Sequence, residues 1–219
     1  MPKNMIREKR TMTFFIDAAA EIIKQEGISN ITIRKLADKA GYNSATIYNY
    51  FEKLDHLVLF ASMKYLKDYV LALPEFLKGT NNAMDRFLKI WECFCFYSFK
   101  DPEIYHSIFF SSLDKDLEDY IIEYYRLFPE ELGTTSNSTS AMLLKYNIYE
   151  RGMTLVQECV NEGLIKKDDA EALNEMSTLI YEGILLKVLK GKISPDKALD
   201  KTMNYIKHVA DSLVVSGTA

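Results

Sequence analysis

The chain has 219 residues, of which 48% are hydrophobic and 26% are charged, and its formal net charge is −4. This composition is typical of a folded globular protein and excludes a disordered, collagenous or disulfide-rich chain. Three cysteines do not make a secreted disulfide framework, and no uncharged apolar run approaches the ~20 residues that a membrane span needs. We therefore expect a cytoplasmic protein without a membrane segment.

Charge is distributed unevenly along the chain. Residues 1–53 contain nine basic and six acidic residues, which gives +3, and the remaining residues contain 18 basic and 25 acidic residues, which gives −7. A basic N-terminal segment on an acidic protein indicates a local polyanionic partner. The asymmetry alone does not identify that partner.

Helical periodicity extends along nearly the whole chain. Apolar residues recur at helical spacing, proline and glycine are scarce, and no alternating run bounded by turn residues indicates a strand. We predict an all-α fold with nine or ten helices. The first helix runs from about Arg7 to Glu26, with Gly27 as an expected αL cap and Ile28 as the hydrophobic contact that follows such a cap.

Two short helices follow the first one. Thr32 is the expected N-cap of a helix from about Ile33 to Lys39, whose first turn contains Arg34 and Lys35 but no acid. The free N–H groups and the positive end of this helix are therefore available for a phosphate. Gly41 then turns the chain into the third helix.

The third helix, within AGYNSATIYNYF at residues 40–51, combines aromatic rings with almost no charge. At 3.6 residues per turn, one side is polar and uncharged, and the other side can pack. Small residues on the polar side allow close approach to a surface, as in a helix that reads base edges in a major groove, and tyrosines can stack or reach phosphates. The polar side comprises Ser44, Ala45, Tyr48 and Asn49, and the packing side comprises Thr46, Ile47, Tyr50 and Phe51.

The spacing of three residues joins the two short helices into a helix-turn-helix pattern. Ala37 permits close crossing of the helices, Gly41 supplies the tight turn, and Ile47 closes the small core. A glycine between two short helices also occurs in many other all-α proteins. The uncharged reading side and the basic first turn favour DNA binding in this chain.

The segment TIRKLADKAGYNSATIYNYFEKLDHLV, residues 32–58, closely resembles the DNA-binding signature of the tetracycline-repressor (TetR) family. With the first helix, the resemblance covers about residues 7–60. It implies a three-helix helix-turn-helix head at residues 1–52 and a larger helical effector-binding and dimerisation domain at residues 53–219. It also implies a homodimeric repressor that a small ligand releases from its operator. The matching residues are Thr32, Leu36, Ala37, Ala40, Gly41, Thr46, Ile47, Tyr48, Tyr50 and Phe51.

The sequence of this chain departs from the family pattern at one position. The family usually has a phosphate-gripping lysine three residues after the phenylalanine, where this chain has Leu54, and Lys53 stands one residue early. Lys53 can substitute by extending its side chain, or one phosphate anchor is missing. The predicted DNA contacts are Thr32, Arg34, Asn43, Ser44, Ala45, Thr46, Tyr48, Asn49, Tyr50 and Lys53.

The sequence contains no recognisable catalytic or metal-binding motif. The three histidines are far apart, Cys93-x-Cys95 lacks the CxxC spacing, and GxSxG, Gly-rich phosphate and EF-hand loops are missing. We therefore predict neither an enzyme nor a cofactor or metal. The competing interpretation is an all-α enzyme built from scattered residues around the aromatic segment described next.

Residues 91–110, WECFCFYSFKDPEIYHSIFF, are exceptionally aromatic. Such a segment either fills a core or lines an apolar ligand cavity, and both interpretations stay open. The predicted effector is a small apolar or aromatic molecule, and it would be a cation if Glu92, Glu123 or Glu150 points inward. The candidate lining residues are Trp91, Phe94, Tyr97, Tyr105, His106, Tyr124, Met142 and Tyr146.

Later helix starts are marked by local signals. Cap-plus-proline pairs at residues 101–102 and 194–195 mark two starts, and a capping box at residues 168–171 marks a third. The stretch PEELGTTSNSTS, residues 129–140, is predicted to be a loop.

The last two predicted helices, at about residues 168–190 and 195–214, each carry an apolar stripe. Each stripe could be buried within its own subunit, but small Gly183 and Ala210 would permit close helix approach. The family resemblance favours a four-helix dimer interface with two helices from each chain. The predicted interface residues are Leu173, Met176, Ile180, Gly183, Ile184, Val188, Leu199, Ile206, Val209 and Leu213.

These patterns together predict a sequence-specific DNA-binding transcription regulator. Its expected partners are a palindromic double-stranded operator, a second copy of the chain and a small effector, and no membrane. Two variants of this function stay open, namely a regulator of the same type that activates, and one that a protein partner controls.

Overall fold

The computed structural model describes residues 3–110, 118–133, 137–145 and 147–215. Within these residues the chain forms eleven α-helices and three 3-10 helices, and its only β-type pairing is one isolated bridge between Ile165 and Val214. The predicted all-α fold is confirmed. Among the described residues, no helix combines the length and the apolar character that crossing a bilayer requires.

Three helices form the N-terminal head, a name used here for residues 3–52. They are α1 (Lys3–Glu26), α2 (Ile33–Ala40) and α3 (Ser44–Tyr48), with a 3-10 turn at Ile28–Asn30 after α1. The helix α3 is five residues long and ends at Tyr48, three residues before Phe51, the last residue that the helical wheel included.

Local chemistry fixes the ends of the short helices. Thr32 caps α2, since its Oγ1 accepts a hydrogen bond from the Lys35 amide at 3.2 Å. Gly41 then turns the chain with φ 69° and ψ 28°, the left-handed conformation that glycine adopts without strain. The backbone conformation of Gly27 differs from the predicted αL conformation, because its φ is 83° but its ψ is 157°. That position is therefore not an αL cap, although its positive φ still requires glycine.

A long helix, α4 (Leu54–Phe76), connects the head to the rest of the molecule. Apolar residues occupy nearly every side of its first half, because it packs on α1 in one direction and on α5 in another. Pro74 lies inside its last turn, and the helix continues two residues past this proline to Phe76.

Seven further helices form the body, a name used here for residues 77–215. The helix α5 lies at its centre and contacts α4, α9 and α11, while α10 packs against both α9 and α11. The bounds are α5 (Ala83–Ser98), α6 (Pro102–Phe110), α7 (Glu118–Leu127), α8 (Asn137–Leu143), α9 (Ile148–Asn161), α10 (Ala170–Leu189) and α11 (Pro195–Leu213).

Two predicted boundaries in the body are confirmed and two are wrong. The helices α6 and α11 start at the prolines of the predicted cap-plus-proline pairs. The predicted loop at residues 129–140 contains a 3-10 turn at Pro129–Glu131, and its last four residues open α8. The predicted capping box at residues 168–171 is replaced by a 3-10 turn at Lys167–Asp169 that leads directly into α10.

Candidate DNA-binding surface and ligand cavity

The buried and exposed sides of α3 and the residues after it agree with the helical wheel. Ile47 and Phe51 are buried, while Ala45 and Asn49 are exposed and Tyr48 has 53% of its surface exposed. An exposed tyrosine beside a small residue leaves a polar, uncharged surface that can approach a nucleic acid closely.

The polar residues at the start of α3 have a structural role as well. Asn43 Oδ1 accepts hydrogen bonds from the Thr46 amide at 2.9 Å and from Thr46 Oγ1 at 3.0 Å. Asn43 therefore caps α3, and both side chains are held in fixed orientations at the front of the helix. Ser44 and Tyr50, two further predicted DNA contacts, are half-buried.

An aromatic cluster centred on Phe15 holds α3 against α1. The Phe15 ring lies 5.1 Å from the Tyr42 ring, 5.9 Å from the Tyr50 ring and 6.4 Å from the Phe51 ring, measured between centroids. Edge-to-face contacts of this kind fix the relative orientation of rings. The exposed face of α3 is thus held on a packed three-helix support.

The N-terminal end of α2 carries two cations in different environments. Arg34 is exposed, whereas the Lys35 ammonium pairs with the Glu26 carboxylate of α1 at 2.5 Å. The first turn has no acid in sequence, but the fold brings Glu26 to it, so Arg34 is the better placed of the two for a phosphate. Thr32 is exposed at the same end, and Lys53 is half-buried at the N-cap of α4.

A small cavity lies in the body between α4, α5, α8 and α9. Its volume open to a water-sized molecule is about 30 Å³, and its wall is almost entirely apolar. Of the predicted lining residues, Trp91, Phe94 and Met142 line it. The whole wall consists of Tyr69, Ile90, Trp91, Phe94, Met142, Ile148, Arg151, Gly152 and Leu155.

The other predicted lining residues lie elsewhere or outside the described residues. Tyr105 is buried behind Phe94, with ring centroids 5.5 Å apart, and does not reach the cavity. Tyr97 is half-buried, with its ring against the ring of Phe96.

His106 and Tyr124 line two separate crevices, between the head and α6 and between α1, α4 and α7 respectively. Tyr146 lies outside the described residues. The aromatic segment is therefore mostly core, and it contributes only part of one cavity wall.

The charged residue on the cavity wall is one that the prediction missed. Arg151 is buried, with its Nε donating to the Lys145 carbonyl at 2.7 Å and its Nη2 donating to the Leu143 carbonyl at 3.2 Å. None of the three acids considered from the sequence lines the cavity. The stripe of Ile148, Gly152 and Leu155 on α9 includes Arg151 at helical spacing, and that charge on an apolar face is the signal that could have identified it.

The guanidinium of Arg151 affects the aromatic groups around it. Its centre lies 5.1 Å from the centroid of the Phe109 ring, a cation–π arrangement. Burial raises the pKa of Tyr125 to about 12, and the positive charge of Arg151 opposes that rise.

The three cysteines are buried and free. Burial raises the pKa of both Cys93 and Cys159 to about 12, so these thiols stay protonated at neutral pH and are poor nucleophiles. Within the described part of the chain, no three His, Cys, Asp or Glu side chains come together as a metal site would require.

The predicted interface residues on α10 and α11 are only partly exposed on the outside of the subunit. Leu173, Ile184 and Ile206 are buried in the core of their own subunit, so their assignment to a contact between subunits is wrong. Met176 and Gly183 are exposed as the prediction requires. Five others are half-buried, namely Ile180, Val188, Leu199, Val209 and Leu213.

Two exposed apolar residues on these helices were missed. Leu179 has 59% of its surface exposed and Tyr205 has 47%. Leu179 lies three residues from Met176 and four from Gly183, so these three residues form one apolar stripe on the outside of α10.

Comparison with known proteins agrees with this architecture. Residues 15–59 match the model of the family described as bacterial regulatory proteins, tetR family. A search of curated proteins gave no match. Several solved structures share the fold over nearly their whole length.

Three of these structures illustrate the likeness. A TetR transcription regulator from Haloarcula marismortui is 15% identical with a TM-score of 0.55, covering 93% of this chain and 98% of that one. The TetR-family repressor FadR of Thermus thermophilus, in complex with lauroyl-CoA, is 12% identical with a TM-score of 0.56 and coverages of 95% and 98%. A transcriptional regulator from Saccharomonospora viridis, in complex with choline, is 17% identical with a TM-score of 0.59 and coverages of 94% and 98%.

The structure combines an all-helical fold with an N-terminal helix-turn-helix head. Residues 15–59 therefore resemble the N-terminal region of the TetR family, and the chain shares its fold with TetR-family structures along nearly its whole length. At these identities the solved structures establish the fold and leave the ligand open.

Proposed function

We propose that the protein is a homodimeric repressor, which binds a palindromic operator through α3 and leaves it when a small ligand enters the cavity of the body. The division into a DNA-binding domain at residues 1–52 and an effector-binding and dimerisation domain at residues 53–219 is part of this proposal. The observation that carries it is the exposed, uncharged face of α3 on a support fixed by Phe15.

The chemistry of the head supports duplex DNA as the partner. A face with small residues, a tyrosine and an asparagine can enter a major groove, and exposed Arg34 beside the N-terminus of α2 can reach a phosphate. Two heads in a dimer would address two half-sites separated by about one helical turn, roughly 34 Å, or somewhat more.

The exposed stripe of Met176, Leu179 and Gly183 supports a second copy of the chain as the other partner. A Cβ atom at Gly183 would meet no atom within 4 Å apart from its chain neighbours and the nearby backbone of its own helix. The α10 backbone is therefore open to close approach by a helix of another molecule. Apolar side chains with this much exposure are stabilised when a partner covers them.

The cavity supports a ligand with a large apolar part. At about 30 Å³ it holds little more than a water molecule, while ligand pockets in proteins measure ~300–1,000 Å³, so ligand entry has to displace wall residues. Met142, an unbranched and flexible residue, is the wall residue best able to move. Lauroyl-CoA and choline, bound by two proteins of the same fold, differ in size and charge, so the fold alone leaves the effector open.

The position of Arg151 bears on the charge of the ligand. A buried guanidinium on the wall disfavours a cation in the cavity, because like charges repel strongly where water is excluded. We therefore propose an apolar or aromatic effector without a positive charge, in place of the cation that the sequence left open.

One experiment tests the proposal in two steps. Genomic fragments are selected with the purified protein, and the affinity for the selected fragment is measured against salt concentration, because phosphate contacts release counterions and produce a steep slope. Candidate effectors are then titrated while the fluorescence of Trp91, the single tryptophan of the chain, is recorded. A regulator of the proposed kind changes its emission and loses operator affinity over one concentration range. Emission that changes without loss of affinity would indicate a pocket that does not control DNA binding.

A further inference from the structure

The helix α7 lies across the joint between the head and the body. Near its N-terminal end, Tyr120 Oη donates a hydrogen bond to Glu52 Oε2 at 2.6 Å. Glu52 follows directly after Phe51, which is buried in the core beside α3. This contact therefore links α7 to the residue at which the head ends.

The same tyrosine covers a buried histidine. The Tyr120 ring stacks on the His56 ring with centroids 4.0 Å apart and planes inclined by 10°. The other faces of His56 meet the ring of Phe51 at 5.2 Å and the ring of Phe60 at 4.5 Å. Tyr120 thus completes a packed joint made from the end of the head, the first turn of α4 and α7.

The far end of α7 packs on α4, the helix that supplies Tyr69 to the cavity wall. Tyr124 of α7 contacts the ring of Phe60 on α4, with ring centroids 5.2 Å apart, and donates a hydrogen bond to Glu131. The neighbouring Tyr125 is buried, and the positive charge of Arg151 opposes the rise of its pKa. The helix α7 therefore contacts both the head and the helix that lines the cavity.

A second attachment changes how the head can move. If the head were attached only through the start of α4, rotation at residues 51–54 would let its angle vary. A contact from a different helix fixes that angle, and it can be released without unfolding α4.

We propose that Tyr120 is a positioning residue, through which α7 holds the head in its DNA-binding setting and through which ligand entry beside Arg151 releases it. This inference rests on the proposed function, and it adds α7 to α4 as a route between the two sites. A ligand shifts the setting only as far as it binds one setting better than the other, and a displaced α7 supplies that difference.

Variants at the two partners separate the hydrogen bond from the ring contact. Tyr120→Phe keeps the stack on His56 and removes the hydrogen bond, while Glu52→Gln keeps an acceptor oxygen for Tyr120. Tyr149→Phe is a matched control, since Tyr149 donates to Glu171 at 3.5 Å on the surface of the body, away from the head. Affinity for the selected operator fragment is measured by fluorescence anisotropy for each variant and for the wild type.

If this hydrogen bond positions the head, the variants should differ in operator affinity by graded amounts. Tyr120→Phe should weaken operator binding by about three- to tenfold, as expected for one hydrogen bond to a charged group at a partly exposed site. Glu52→Gln, which keeps an acceptor oxygen but removes its charge, should cause a smaller loss than Tyr120→Phe, and Tyr149→Phe should stay within about twofold of the wild type. Amide hydrogen exchange in the peptide covering residues 44–53 should be faster in Tyr120→Phe, with an unchanged unfolding midpoint, which separates positioning from stability.

Two outcomes distinguish this inference from the proposed function. If the wild type binds the fragment and Tyr120→Phe equals or exceeds it in affinity with unchanged exchange, the inference is overturned. If the wild type binds no genomic fragment, the proposed function fails. The exchange measurement would then still decide whether Tyr120 holds the head.

Discussion

Asn174 Oδ1 of α10 occupies the space that a Cβ atom at Gly152 of α9 would need. Asn174 is fully buried, and its Nδ2 donates to the Tyr149 carbonyl at 2.9 Å, so it cannot rotate away without losing that bond. The close crossing of α9 and α10 therefore depends on a glycine at position 152, beside the ligand cavity.

Gly152→Ala is expected to destabilise the protein by ~1–3 kcal/mol, because overpacking forces side chains or helices apart. Urea unfolding of the variant, measured by circular dichroism, checks this value. Asn174→Ala alone should cost about 1 kcal/mol for the lost hydrogen bond. The double variant should be no less stable than Asn174→Ala, since the methyl group then has room. Additive losses would mean that the two residues do not compete for one space.

Tyr48→Ala is expected to abolish most sequence discrimination while leaving the fold intact, because Tyr48 is exposed and contributes little to the core. A good base contact is worth ~1–3 kcal/mol, so operator affinity should fall by about tenfold or more relative to a scrambled duplex. Tyr149→Ala, which removes an exposed tyrosine from the body, is the control. If Tyr48→Ala keeps the wild-type preference for operator, α3 does not read the bases.

Arg34→Gln addresses the phosphate contact separately. The variant should bind operator and scrambled DNA more weakly by similar factors, and the slope of log affinity against log salt should decrease in magnitude by about 1. Lys35→Gln should have a smaller effect, because Lys35 is paired with Glu26. Equal effects of the two substitutions would indicate that DNA displaces Glu26.

Leu179→Glu is expected to convert dimers into monomers without unfolding the subunit. The side chain is largely exposed in one subunit, so the charge is tolerated there, but it would be buried in an interface formed by α10. Sedimentation velocity of Leu179→Glu and of Leu71→Glu, an exposed leucine on α4, checks this expectation. A stable Leu179→Glu dimer would place the interface elsewhere.

Ile184→Glu should behave differently from both of these variants. Because Ile184 is buried within its own subunit, the variant should fold poorly at any concentration.

The sequence predicted the head in detail because local rules determine it. Thr32 and Gly41 act through bonds and backbone angles within a few residues, and the wheel positions of Ile47 and Tyr48 follow from helical geometry alone. The body was predicted only as a set of helices. Which side of each helix meets which neighbour depends on contacts between residues distant in sequence.

Two errors illustrate that limit. Leu173 and Leu179 lie on the same helix and are both apolar, but only the packing of α9 and α11 on α10 decides that Leu173 is covered and Leu179 is not. Arg151 shares a helical face with Ile148, Gly152 and Leu155, but this local pattern does not show that the face lines a cavity, which depends on residues of α4 and α5. The pairing of Tyr120 with Glu52 joins residues 68 positions apart and has no local signal.

The burial of His56 predicts a loss of stability in mild acid. Desolvation lowers the pKa of His56 to about 4 from its ordinary 6.5, so the folded protein keeps this ring neutral at a pH where the unfolded chain is protonated. Glu52 raises this pKa and Lys53 lowers it, and the Glu123 carboxylate lies 3.7 Å from His56 Nε2. Since the unfolded state binds the extra proton between pH 6.5 and about 4, stability is complete above that window and falls as the pH decreases through it.

The measurement compares the wild type with His56→Phe, which keeps an aromatic ring between Phe51, Phe60 and Tyr120 but cannot titrate. Between pH 7 and pH 5, the free energy of unfolding of the wild type should decrease by about 2 kcal/mol more than that of the variant. This value follows because the interval includes about 1.5 pH units below the unfolded pKa of 6.5, each worth ~1.4 kcal/mol. All other titrating groups are shared, so their contributions cancel in the difference. Equal losses in the two proteins would mean that His56 is hydrated and protonates in the folded state, and that the joint covered by Tyr120 is open in solution.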